Sequence, residues 1–304
     1  MNIHVMKRAH ILHNPSAGSG EQSKHEIIDL FEENGIECGY SSTKEIEWKK
    51  VTQDTDFLVV AGGDGTVRKV AVELLRKQRF KKRLPILLIP MGTANNISKT
   101  LQIAGHEAEI ARILDSKKVK KYDVGIVEGL KKSELIFLES FGCGLFPELM
   151  NRMKEIPERE EATPEENLKT ALMELHKLVL NYKPKKVDIK IDGIHHQDRF
   201  LMAEVMNIAS IGPNLNLSPA SDPGDGELEL ILVPESQRQQ LAEYLQGKID
   251  GKEGNFDAQA IKGKDIIFNT NGGLLHTDDE LYSTKKPKKI RIKPEWGMME
   301  FFVQ

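Results

Sequence analysis

Along the first 115 or so residues, apolar runs of strand length alternate with segments whose apolar positions recur at helical spacing. RAHILHN reads as a strand and SKHEIIDLFEENG as a helix stopped by Gly35. ECGYSST gives a weak strand, EIEWKKVTQDT a weak helix and DFLVVA a strong strand. In TVRKVAVELLRK, Val67, Val70, Ala71, Leu74 and Leu75 fall on one helical face. LPILLIP is a further continuous apolar strand, and TANNISKTLQIAG and HEAEIARILDS follow it as helices. Apolar strands without alternation, separated by helices, predict a parallel sheet covered on both faces. Such a sheet binds ligands beyond the carboxyl ends of its strands.

After about residue 116 the pattern changes. YDVGIVEG, LIFLESFG, VDIKIDG, FLMAEVMNIAS, GELELILVP, KDIIFNT and KKIRIKP are strand-like, several with period-two alternation, and turn residues separate them. This predicts an antiparallel sandwich or barrel. Helical patterns interrupt it at roughly 163–181 and 236–249, and EIPEREEATPEE before the first reads as an exposed loop. DGIHHQD, with His195 and His196, reads as a polar hairpin turn. The expected domains are 1–122, α/β, and 123–304, β-rich, with the last few residues allowed to return to the first.

Composition adds limits. A formal net charge of −3 excludes an overall basic nucleic-acid binder, so no nucleic-acid partner is expected. No apolar run has the length of a transmembrane helix, and no apolar stretch follows Lys7 and Arg8 as in a signal peptide. The two cysteines, Cys38 and Cys143, form no CxxC and suggest reduced thiols in the cytoplasm, with packing as their role. None of the nine histidines forms a metal-ligand pattern.

The candidate chemistry lies in three glycine-bearing loops. HNPSAGSG follows the first strand, GGDGT the third and PMGTANN the fourth. Glycine removes the Cβ that would hold a ligand away from the backbone. After the second and third loops a helix is expected at once, and its free N–H groups suit a phosphate. Asp64 beside a phosphate implies a Mg²⁺ between the two negative groups. A P-loop is absent, and no G-x-G-x-x-G follows the strands.

NPSAG (14–18), GGDGT (62–66) and PMGTANN (90–96), in this order and spacing, resemble the catalytic domain of diacylglycerol and sphingosine kinases, and most nearly the bacterial soluble lipid kinases of that superfamily. YDVG (122–125) resembles the family's crossing into its β-rich domain. LSPASDPGDGELEL (217–230) resembles the P-x-A-x-x-D-D-G-x-L-D region, and HTDDELYST (276–284) the D-G-E near the C-terminus. The resemblance implies a Rossmann-like, NAD kinase-like parallel-sheet domain followed by an antiparallel β-sandwich with a helical insertion. It implies an ATP- and Mg²⁺-dependent lipid kinase, with the nucleotide in a cleft between the domains. Its acceptor would be diacylglycerol-like or sphingoid-like. Asn14, Pro15, Ser16, Ala17, Gly18, Thr43, Gly62, Gly63, Asp64, Gly65, Thr66, Gly92, Thr93 and Asn95 would contact ATP. Asp225 would ligate a structural Mg²⁺ with the backbone carbonyls of Asp222 and Glu227, and Asp123 would join the carboxylate and water network. Glu280 would take the proton from the lipid hydroxyl, with Asp64 as the other catalytic carboxylate.

The sequence departs from the family in four places. Arg68 and Lys69 stand where Asn–Glu is usual, Asn96 where GTAND has Asp, Glu139 where Asn is frequent, and Asp279 where D-G-E has Gly. They motivate the rival of a nucleotide-binding relative without transfer activity. NAD kinase shares GGDGT, but its second Asn–Glu motif and glycine-rich substrate loop are not found here. RKQRFKKR (76–83) and KKPKKIRIK (285–293) could face an anionic membrane. The plainer readings are a cation-stabilised helix end and a lysine-protected edge strand. A lipid acceptor still implies peripheral, transient membrane contact, and a second copy of the chain is left open as a partner.

Overall fold

The computed structural model describes residues 7–17, 24–45, 51–52, 54–77, 84–157, 162–252 and 254–304. Gly18, most of the weak helix expected around 45–55 and the bulk of the basic cluster at 76–83 lie outside the described residues. Two compact units are present: Met1–Tyr122 with Met298–Gln304, and Asp123–Gly297.

In the first unit the order is β1 (Arg8–His13), α1 (Lys24–Glu32), β2 (Glu37–Ser42), β3 (Phe57–Gly62), α2 (Asp64–Lys77), β4 (Ile86–Pro90), α3 (Asn96–Thr100) and α4 (Glu107–Ser116). β2, β1, β3 and β4 lie side by side and all run parallel. Phe301, near the C-terminus, pairs in parallel with Ile86 and adds a strand beside β4. Every residue of β3 is buried, as a strand covered on both faces requires. The helix expected after PMGTANN is shorter than the apolar pattern suggests. It ends at Thr100, because Gln102 turns left-handed at φ 59° just before Gly105.

The chain enters the second unit along β5 (Val119–Glu128). There follow β6 (Leu135–Phe137), β7 (Ser140–Gly144), α5 (Leu145–Met153), α6 (Pro164–Asn181), β8 (Lys185–Ile191), β9 (Ile194–Met206), β10 (Ser210–Ile211), β11 (Leu215–Asn216), β12 (Leu228–Pro234), α7 (Arg238–Ile249), β13 (Gln259–Gly263), β14 (Ile266–Thr270), β15 (Gly273–Thr277), β16 (Glu280–Thr284) and β17 (Lys288–Phe302). Strands β16, β15, β7, β9, β8, β14 and β17 are neighbours in that order, and β12 and β13 extend from β9. The pairings between them are antiparallel. Both faces are buried along β12: Leu228, Leu230 and Leu232 pack within the sandwich, Ile231 and Val233 against the helices. α6 begins with a capping box in which Thr163 and Glu166 satisfy each other's backbone N–H groups.

Four expectations need correction. LIFLESFG is two strands, broken at Leu138–Glu139. Helix α5 was not expected; Pro147 in its first turn is compatible with a helix start. The hairpin turn in DGIHHQD is Asp192–Gly193, both left-handed, while His195 and His196 belong to β9. β17 is not an edge strand, since it lies between β14 and β5. Its lysines therefore do not protect an edge; Lys289 and Arg291 are exposed because they alternate with buried Ile290 and Ile292.

Candidate active site

In the first unit, two of the glycine loops touch backbone to backbone. A Cβ on Gly92 would lie 2.5 Å from Gly63 Cα, and one on Gly63 would lie 2.8 Å from Gly92 Cα. Only glycine at both positions permits this approach. Asp64 then fastens the loops: its Oδ2 accepts the Asn96 N–H at 2.9 Å and its Oδ1 the Ile97 N–H at 3.0 Å. Burial pushes the Asp64 carboxyl above the usual carboxylate range, and the N–H groups of Ile97, Asn96 and Asn95 act against that shift. The carboxylate thus caps α3 and takes the N–H groups expected to meet a phosphate. Asn95, left-handed at φ 52°, closes PMGTANN on itself, with Gly92 N–H to its Oδ1 at 2.8 Å and its Nδ2 to Gly92 O at 2.7 Å.

The first loop joins the same edge. Asn14 N–H donates to Ala61 O at 2.9 Å, and Asn14 Nδ2 to Thr66 Oγ1 at 3.2 Å. Asn14 Oδ1 accepts from Ser16 N and Oγ, which turns the chain at Pro15 and brings the Ala17 N–H onto Asn14 O. Thr66 is buried, and a Cβ on Gly62 would collide with its side chain. Thr43 is buried at the end of β2, its N–H on His13 O at 2.8 Å and its carbonyl accepting from Lys69 Nζ. Gly65 and Thr93 are exposed on this edge. Gly92→Ala is expected to force the two loops apart. Crowding of this kind costs about 1–3 kcal/mol, and a fluorescent ATP analogue should report weakened binding at a temperature where circular dichroism shows the variant folded.

In the second unit the three acids at 278–280 are not equivalent. Asp278 is buried, and its carboxylate accepts the backbone N–H groups of Leu138 (2.9 Å), Glu139 (2.8 Å) and Ser140 (3.1 Å). This is why the expected single strand breaks at 138–139. Asp279 and Glu280 are exposed, and the Tyr282 hydroxyl donates to Glu280 Oε2. Asp278 is the left-handed residue of the turn, at φ 48°, and Asp279 is not among the positive-φ residues. A side chain in place of the family's glycine is therefore unstrained. Of the other departures, Asn96 and Glu139 contribute backbone N–H groups, and Lys69 reaches a carbonyl with its ammonium.

Asp123, fully buried, organises the DPGDGE loop. Its N–H donates to Pro223 O, its Oδ2 accepts Gly226 N–H and its Oδ1 Gly297 N–H, both at 2.7 Å. Burial raises its pKa, against the pull of those two N–H groups; Asp225 and Asp222 nearby add to the rise. Asp222 Oδ1 accepts Gly224 N–H at 3.0 Å. Asp225 Oδ1 accepts Glu227 N–H at 2.9 Å, and its Oδ2 pairs with Lys262 Nζ at 2.7 Å. Lys262 also lies 3.5 Å from Glu229. The implied structural Mg²⁺ does not fit this donor set, because an ammonium already neutralises the carboxylate that would ligate it. Among the described residues no group of three or more His, Cys, Asp or Glu is arranged to hold a metal. Thermal unfolding of the nucleotide-free protein is accordingly expected at the same temperature in Mg²⁺ and in EDTA. A Tm raised by Mg²⁺ in the wild type but not in Asp225→Asn would place a divalent ion there instead.

Sequence reasoning missed Asp278, Lys262, Glu204, His276 and Asn207, whose Nδ2 donates to the carbonyls of Asp123 (3.0 Å) and Leu138 (2.9 Å). The available signal was a lone acid in an apolar strand, LMAEVM, and a lone histidine in GGLLHT.

The chain thus has a parallel α/β unit with glycine loops at its strand ends and an antiparallel β unit carrying a pinned acidic turn. Residues 8–127 match the diacylglycerol kinase catalytic domain, and residues 153–298 the YegS C-terminal NAD kinase beta sandwich-like domain. The chain is 26% identical over 256 residues to the diacylglycerol kinase of Bacillus subtilis (strain 168), covering 79% of this chain and 77% of that one. A crystal structure of a diacylglycerol kinase from Bacillus anthracis str. Sterne shares the fold, with a TM-score of 0.70, 23% identity and coverage of 98% and 97% of the two chains. The chain carries a diacylglycerol kinase catalytic domain followed by a YegS C-terminal domain, and with relatives named diacylglycerol kinase and putative lipid kinase it is a kinase. No helix among the described residues is long and apolar enough to cross a membrane.

Proposed function

We propose that the protein transfers the γ-phosphate of Mg²⁺-bound ATP to the hydroxyl of a lipid, either diacylglycerol-like or sphingoid-like. The observation that carries this reading is the side-chain-free contact of Gly63 and Gly92, locked by Asp64. The glycines bring the two loops together at one sheet edge, and the polyphosphate would lie along that edge with Asn14, Ser16, Ala17, Thr66 and Thr93 around it. Mg²⁺ arrives with the nucleotide as part of the substrate.

In the proposed step the lipid oxygen attacks the γ-phosphorus, the bond from that phosphorus to the β–γ bridging oxygen breaks, and ADP leaves with the bridging electrons. The hydroxyl proton passes to the Glu280 carboxylate. Phosphoryl transfer depends mainly on positioning and charge neutralisation, and an aligned carboxylate assists late in the transfer. The acceptor resides in a bilayer, so the enzyme works by transient contact with a membrane from the cytoplasm.

The acceptor class is tested by presenting diacylglycerol and sphingosine separately in detergent micelles with γ-labelled ATP. Label in one lipid assigns the acceptor. ATP retained with label in neither would favour the nucleotide-binding relative.

A further inference from the structure

Three residues of neighbouring strands form one row across the second unit. His276 of β15 stands opposite Gly142 of β7, and Gly142 stands opposite Glu204 of β9. A Cβ on Gly142 would fall inside the Glu204 carboxylate, so the glycine is what lets Glu204 reach across the row. Glu204 Oε2 lies 2.8 Å from His276 Nε2, and both residues are buried. On its other side, His276 Nδ1 lies 3.0 Å from the Asp278 carbonyl oxygen. A carbonyl only accepts, so Nδ1 carries a proton and donates it. Phe146 stacks on the imidazole at 5.8 Å and 26° and fixes the ring plane.

From the Asp278 carbonyl the connection runs outward. The Asp278 carboxylate is held by three N–H groups at 138–140, and its own N–H donates to Ser140 O at 2.9 Å. Two residues later comes Glu280. We propose that Glu204 and His276 are positioning residues, which act through the Asp278 carbonyl to fix the turn presenting Glu280. This rests on the kinase reading above and adds to it.

The chemistry of the pair supports a geometric role. Burial pushes the Glu204 carboxyl up. Burial opposes a charge on His276, but the adjacent Glu204 outweighs it and the imidazole is also raised. Asp278 also acts on His276, and the Cys143 thiol feels Glu204. The 2.8 Å contact holds a proton between His276 Nε2 and Glu204 Oε2. A buried pair of this kind adds little stability over an apolar one of the same volume, whereas losing one member alone is costly. Its contribution is the fixed direction of two hydrogen bonds.

The test uses the full chain with Glu204→Met and His276→Phe combined, which replaces the pair by apolar side chains of similar size. Tm and ATP-analogue binding are expected to stay near wild type. A turn displaced by about an ångström should lower kcat on the order of 100-fold. KM should stay within about threefold, as for an interaction made only in the transition state. Glu204→Gln in the otherwise native chain keeps a hydrogen-bond partner for His276 Nε2, to which its amide NH₂ can donate, and should recover most of the rate. A double variant with full kcat would overturn the inference. Amide exchange on the wild type decides independently of whether the variants fold. Protection at 278–280 matching that of Leu275 is expected, and exchange as fast as at the exposed Gly193 would overturn it. A wild type that labels no lipid would instead count against the kinase reading itself.

Discussion

Glu280→Gln is expected to abolish most turnover while leaving the protein folded and able to bind nucleotide. The amide keeps the size of the carboxylate and can still accept from the Tyr282 hydroxyl, so the turn between β15 and β16 should be undisturbed. What is lost is the ability to take a proton. General-base catalysis contributes about 10²- to 10⁴-fold, so kcat should fall by that order with the KM for ATP nearly unchanged. Steady-state kinetics on the labelled acceptor checks it. Asp279→Asn is the internal comparison: Asp279 is exposed beside Glu280 and has no assigned role in the transfer, so it should cost far less. Equal losses in the two variants would mean that the turn contributes general negative charge and not a base.

The second large effect is expected at Asp64. Asp64→Asn turns one oxygen that accepts a backbone N–H into an NH₂ that confronts it, at Asn96 or at Ile97. Leaving a buried donor unsatisfied costs about 1–3 kcal/mol, and the same change in binding energy is about a 5- to 150-fold rise in Kd for the nucleotide. If Asp64 works by capping α3 and holding the loops together, the loss should be equal with Mg-ATP and with metal-free ATP. If its work is to face a cation, the loss should appear with Mg²⁺ alone. Isothermal titration under both conditions separates the two. The geometry favours the capping result.

The contrast between these two residues shows what the sequence made legible. The parallel sheet and its glycine loops were readable because buried strands are written as continuous apolar runs, and close backbone approach is written as glycine. Asp64 was visible as an anomaly between glycines, but its partners lie in the next loop, and no local pattern names them. LIFLESFG read as one strand because nothing within it shows that Asp278, far along the chain, collects the N–H groups of 138–140. The row of His276, Gly142 and Glu204 was illegible for the same reason, since register between strands of three separate segments is set by tertiary pairing. Lys262 reads as an ordinary exposed lysine until β13 places it beside Asp225. Helix α5 was lost because FPELM follows directly on a strand, with Gly144 at φ 98° as the only signal of the turn.

The most direct measurement is the transfer of label from γ-labelled ATP into a total lipid extract, with Mg²⁺ and detergent, by the wild type and by Glu280→Gln side by side. The account predicts a labelled lipid with the wild type and almost none with the variant, while both bind ATP alike. An unlabelled extract from a wild type that binds ATP, or equal labelling by the two proteins, would contradict it.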